Sequence, residues 1–204
     1  MLTVKTISRS EYKTKSSKFY GYLLPAASED KFNPKLYRLK SEHNTATHHC
    51  YAYRINPFQP EEFESDDGEP SGTAGQQILN RMRSSDLINC GLIVIRYYGG
   101  TKLGKSGLIE AYSETADKCI SKADFRKVFK IRLFKISYTY EQQTHVNQLI
   151  HAFNLAEENS VYREKVTLIL GCDIERVSGF QEKLNSIKHL FESTDDLGDS
   201  IRIE

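Results

Sequence analysis

The chain of 204 residues carries 28 Lys and Arg against 27 Asp and Glu, a formal net charge of +1, with 39% hydrophobic residues, 12 glycines and 5 prolines. That composition belongs to a globular protein of one large or two small domains and excludes a disordered chain. The near-zero balance also excludes a protein that coats nucleic acid through bulk charge.

In chain order, LTVKTISR and KFYGYLLPA read as strands, KLYRLKSEH as a helix, and HHCYAYRI as a strand from its aromatic and β-branched alternation. Residues 56–70 are turn-rich and acidic and read as a loop. It leads to Ser71 and Thr73, either of which can cap a helix over AGQQILNRMRSS. CGLIVIRYY is a buried-strand run, GGTKLGKSG a glycine loop, and Leu108, Ala111, Tyr112 and Thr115 recur at helical spacing after it. From Lys130, IRLFKISYTY reads as a strand and Val146, Leu149, Ile150 and Phe153 as one face of a helix. ENSVYR and VTLILGC form a hairpin, Val177, Phe180, Leu184, Ile187 and Phe191 mark a second helix, and 200–203 is a last short strand. This β-α-β-β-α-β order is the ferredoxin-like split motif. The expected class is therefore α+β, with domains at 1–127 and 128–204 tightly joined near 125–130.

The longest aliphatic run, 92–95, is far short of the roughly 18 residues of a membrane span. The N-terminus lacks the apolar core and small-residue cleavage site of a signal peptide, so a cytoplasmic protein with no membrane partner is expected. Cys50, Cys90, Cys119 and Cys172 are widely spaced, outlining neither a disulfide nor a zinc framework, and are expected to be reduced and buried.

Charge is segregated locally. Six acids (Glu61, Glu62, Glu64, Asp66, Asp67, Glu69) fall in 61–69 without a base, whereas Arg81, Arg83, Arg96, Lys102 and Lys105 face Asp86 alone in 81–105. If the fold joins these runs they neutralise each other; if not, they make an acidic lip and a basic floor. Residues 99–106 also satisfy the phosphate-loop expression G-x-x-x-x-G-K-[ST] between a strand and a helix. A phosphate-loop domain needs several further parallel strands after the motif, and this chain offers only the ferredoxin-like pattern. The weaker expectation stands: glycines, two lysines and a helix N-terminus can receive an anion.

Three segments, THHCYAYR (47–54), SDDGEPSGTAG (65–75) and RYYGGTKLGKSGL (96–108), resemble in order and spacing the IMPACT family, in its two-domain YigZ-type form. KSSKFYGYLLPA resembles the family's early strand. The family's loop usually has glycine where this chain has Ser106 and a residue other than lysine at Lys105, so the phosphate-loop match arises from departures, and Ser106 can instead cap the helix. The resemblance implies an N-terminal domain like domain 2 of ribosomal protein S5 and a C-terminal domain similar to the last domain of elongation factor G. It also implies a translation-linked binding role, as the eukaryotic members are translation regulators.

On this reading the anion or nucleic-acid surface comprises Ser71, Gly72, Thr73, Arg81, Arg96, Gly99, Gly100, Lys102, Gly104, Lys105 and Ser106. His48, His49, Asp66, Asp67 and Glu69 form a possible acidic or polar cleft. Consecutive His48 and His49 on a strand point to opposite faces. Cys50 beside a histidine has the makings of a nucleophile but no third orienting group, and the acids could ligate a hard cation but more readily cap helices and pair with bases. Tyr51, Tyr53, Arg54, Arg96, Tyr97 and Tyr98 interleave aromatic and basic groups as single-stranded RNA binding requires, with half directed inward by strand alternation. The expected function is a non-enzymatic cytoplasmic protein binding RNA or the ribosome, or a protein partner in translation control, with no cofactor, metal or catalytic residue assigned. The alternative is an enzyme or sensor holding a small phosphorylated ligand or nucleotide between the DDGEP run and the glycine loop.

Overall fold

The computed structural model describes residues 1–204, which divide into two compact units, Met1–Val128 with Glu204 and Phe129–Ile203. The first unit contains β1 (Leu2–Val4), β2 (Ser8–Thr14), β3 (Ser17–Pro25), α1 (Glu29–Glu42), β4 (His48–Ile55), β5 (Glu61–Ser65), α2 (Gly75–Ser84), β6 (Cys90–Tyr97) and α3 (Gly104–Ser121). Strands β2, β3, β6, β4 and β5 lie side by side in that order, and every pairing between them is antiparallel. This is not the parallel sheet of a phosphate-loop domain.

The sheet is buried on both faces. Phe19, Leu23, Cys50, Ala52, Leu92 and Val94 turn to the side covered by α2 and α3, and Ile93, Ile95, Tyr53 and Ile55 to the side covered by Phe32, Leu36 and Leu39 of α1. Covering both faces explains why β6 reads as a continuous apolar run rather than an alternating one. Tyr112 of α3 meets Phe19 edge to face, with ring centroids 5.2 Å apart, an arrangement worth about 1 kcal/mol beyond the area it buries.

The reading of 1–25 is corrected in one respect: LTVKTISR is not one strand but β1 and the start of β2, because β2 and β3 form a hairpin closed by Lys15 and Ser16. Both residues have positive φ, as a two-residue turn that follows the strand twist requires. The loop expected over 56–70 contains β5, which pairs with β4 from Tyr51↔Ser65 to Ile55↔Glu61. Its acids hide a strand because Glu62 is satisfied across the pair by Arg54 at 2.7 Å and from α2 by Arg83.

The second unit runs from the later part of β7 (Phe125–Tyr138) through α4 (Gln143–Phe153), β8 (Ala156–Tyr162), β9 (Val166–Asp173), α5 (Val177–Ile187) and β10 (Ser193–Ile203). Its strands lie in the order β10, β7, β9, β8. Phe134, Ile136, Leu168 and Leu170 pack with Val146, Leu149, Phe180 and Leu184 in a separate core. Phe191, expected on the second helix, lies beyond its end, and β10 is longer than the strand read at 200–203. No helix is long and apolar enough to cross a membrane.

Candidate functional site

The turn after β5 organises the site through three acids with separate roles. Asp66 turns back onto α2: its carboxylate accepts hydrogen bonds from the amides of Gly72 (2.8 Å), Ala74 and Gly75 (both 2.9 Å). The expected caps are therefore corrected. Ser71 is exposed, and the Thr73 hydroxyl donates to the Pro70 carbonyl at 2.6 Å. Because Asp66 fills the N-terminus of α2, the amides there are not open to a ligand phosphate as the sequence led us to expect for Ser71, Gly72 and Thr73.

Asp67 accepts from the His49 amide at 2.7 Å and from Lys40 of α1 at 3.1 Å, while its carbonyl lies 2.9 Å from His48 Nδ1. His49 points away from His48 towards the α1 side, where its ring is 3.2 Å from the His43 carbonyl; burial pushes its pKa down. Glu69, buried, accepts from Arg96 at 2.6 Å and from the Tyr112 hydroxyl at 2.8 Å, with His48 Nε2 3.9 Å away. The acidic run thus meets the basic run: Glu69 pairs with Arg96 and Glu62 with Arg83. Arg81 pairs instead with Asp117 of α3 at 3.4 Å. No group of three His, Cys, Asp or Glu side chains is arranged to hold a metal ion.

Cys50 lies 3.0 Å from the Asp66 carbonyl and 3.2 Å from the Tyr112 hydroxyl. It is fully buried in the core, and burial pushes its thiol far above the ordinary range.

The glycine loop brings the other wall. Gly99 packs against the β2–β3 turn so closely that a Cβ would fall 2.0 Å from the Ser16 carbonyl carbon. Gly104 opens α3 with φ +72°, and no side chain caps that helix. Ser106, expected as its cap, is the third residue of the helix. The first turn contains no acid but does contain Lys105, a cation at the positive end of the helix dipole. Lys102 and Lys105 are both exposed, and neither forms an ion pair.

Between these walls lies a cleft of about 560 Å³, lined by Thr47, His48, Glu69 and Pro70 on one side, Arg96 and Tyr98 at the end of β6, and Lys102, Leu103, Gly104, Lys105 and Leu108 on the other. Arg96 is its buried floor, 5% exposed, held between the rings of Phe19 and Tyr98 at 5.5 and 5.4 Å. Its Nη1 serves Glu69, Nη2 reaches Ser17 only at 3.5 Å, and its Nε has no acceptor. The structure thus gathers His48, Glu69, Arg96, Lys102, Gly104 and Lys105 in one cleft. It leaves Ser71, Arg81 and His49 outside the lining, and Gly99, Gly100 and Ser106 build the adjoining loop and helix without lining it. Sequence reading missed Ser17, Lys40 and Tyr112, which hold Arg96, Asp67 and Glu69; Tyr112 showed only as a helical core position.

The family profile described as Impact N-terminal domain matches residues 15–120, which contain all of these groups. The chain belongs to the IMPACT family. Among family members it is 31% identical to one from Haemophilus influenzae over 85% of each chain. It is 30% identical to the member YigZ of Escherichia coli over 72% of each. A crystal structure of a hypothetical protein superposes with TM-score 0.65 and 26% identity, covering 97% of this chain and 96% of that one.

Proposed function

We propose that this IMPACT-family chain is a non-enzymatic RNA-binding protein acting with the ribosome in the control of translation, and that it seats RNA phosphates in the cleft beside α3. We further read residues 1–127 as a domain like domain 2 of ribosomal protein S5. Residues 128–204 we read as a ferredoxin-like domain resembling the last domain of elongation factor G, which the strand order β10, β7, β9, β8 supports.

The observation that carries the reading is the uncompensated positive character of the cleft. Asp66, Asp67 and Glu69 are each engaged, by the α2 amides, by Lys40 and by Arg96. Lys102, Lys105 and the uncapped N-terminus of α3 are left unanswered, and the Arg96 Nε lacks an acceptor. A phosphate oxygen supplies what all of these lack. Cys50, behind the cleft, is buried against the Asp66 carbonyl and the Tyr112 hydroxyl, and burial pushes its thiol up, which disfavours a thiolate there.

Sedimentation with ribosomes, treated or not with RNase, tests the reading. Wild-type protein should co-sediment at low salt in an RNase-sensitive manner, and Lys102→Glu with Lys105→Glu should release it. Equal sedimentation of both proteins, or of neither, contradicts it, and retention after RNase points to a protein partner.

The size of the cleft favours one other occupant, because about 560 Å³ also suits a small phosphorylated ligand or nucleotide. That reading requires a thermal shift with a particular nucleotide and magnesium, lost in Gly100→Val, whose φ of +83° valine resists. A flat screen removes it.

A further inference from the structure

Next to the phosphate cleft lies a second concavity of about 350 Å³, lined by Ser16, Lys18, Tyr20, His43, Tyr97 and Tyr98. Tyr98 lines both clefts, so the two adjoin at one ring. We propose that this second concavity is a nucleobase-binding subsite, so that a single RNA strand leaves its phosphate beside α3 and stacks the adjoining base against Tyr98. The proposal rests on the RNA reading above and narrows it to unpaired nucleotides.

The chemistry of the walls selects a base. Tyr98, 45% exposed, is backed by the Arg96 guanidinium 5.4 Å from its centroid, which fixes the ring as a platform rather than a free side chain. Tyr20 stands edge-on to Tyr97 at 5.9 Å, and His43 is 6.0 Å from each of them. The His43 ring nitrogens are both committed, Nε2 to the Tyr22 hydroxyl and Nδ1 to the Tyr97 hydroxyl, each at 2.9 Å. With the His43 nitrogens and the Tyr97 hydroxyl already engaged, the aromatic faces favour recognition of a ligand by stacking. Lys18 adds positive charge and no carboxylate lines the concavity; nearby Glu11 is paired with Lys13 at 2.8 Å. A paired base presents its edge and not its face, so a duplex cannot use such walls.

The aromatic residues of β4 are engaged elsewhere. Tyr51 and Tyr53 stack on Phe63 at 5.9 and 5.6 Å and lie against Phe32 of α1, so they belong to the packing of the opposite end of β4.

Fluorescence anisotropy on the full chain tests the subsite with three labelled RNAs of equal phosphate number: a single-stranded decamer, the same decamer made wholly abasic, and a short duplex. The wild-type protein should bind the base-bearing strand about tenfold or more tighter than the abasic one. Tyr98→Ala should erase that preference, Tyr98→Phe should retain it, and Lys102→Glu with Lys105→Glu should weaken both strands alike. Equal binding of base-bearing and abasic strands by wild type overturns the subsite while leaving the phosphate cleft standing. So does equal binding of the duplex, or a preference that survives in Tyr98→Ala. Absence of binding to every RNA at low salt overturns both.

Discussion

Arg96 ties several parts of the first unit together, because it is buried yet serves a carboxylate, two aromatic rings and a cleft at once. Removing one member of a buried ion pair strands the other charge, at a cost of about 3–5 kcal/mol, whereas removing both is far milder. Urea denaturation should therefore show Arg96→Met destabilised by about that amount, with Arg96→Met plus Glu69→Met losing clearly less than the two single substitutions summed. Additive losses would mean that the two residues act independently. Sequence alone places Arg96 and Glu69 in opposite charge runs and makes their meeting one of two options. What decides it is the β4–β6 register, His48↔Arg96, which draws the turn after β5 over the end of β6.

At the scale of elements, α2 and α3 form a contrasting pair. Helix α2 has its N-terminal amides filled by Asp66, eight or nine residues upstream of the amides it caps. Helix α3 has no cap, no acid in its first turn, and a lysine where the dipole disfavours one. A local rule broken without a local gain marks a functional position. Lys105→Glu should consequently raise stability by about 0.3–1 kcal/mol in a thermal or urea transition while weakening RNA binding. A variant that loses both stability and binding would refute the idea that Lys105 serves a ligand at the expense of its helix.

Strands β3, β4 and β6 and the helices α3, α4 and α5 were legible from apolar spacing, since packing and periodicity agree there. The caps were not, because Ser71 and Thr73 satisfy every nearby rule and only the turn at 66–70 shows which oxygen reaches the amides. Strand β5 was concealed for a related reason: its acids find partners across the sheet and on α2, beyond any local window.

For the whole molecule, a net charge of +1 hides a local arrangement in which Glu62, Asp67 and Glu69 of the acidic run enter ion pairs while Lys102 and Lys105 beside the cleft enter none. The two runs seen in the sequence neither stay apart as lip and floor nor cancel entirely: Glu62 and Glu69 take up Arg83 and Arg96, and Lys102 and Lys105 of the glycine loop stay unpaired. On the proposed RNA reading a partner there would be held by counterion release at a few phosphates, so binding should be salt-sensitive but not extreme.

The most direct measurement is the affinity for a single-stranded RNA decamer as a function of salt, for wild type and for Lys102→Glu with Lys105→Glu. If both lysines meet phosphates, the double variant should bind more weakly, and its log–log salt slope should be shallower by about 1.4. Identical affinities and identical slopes would show that no phosphate sits beside α3.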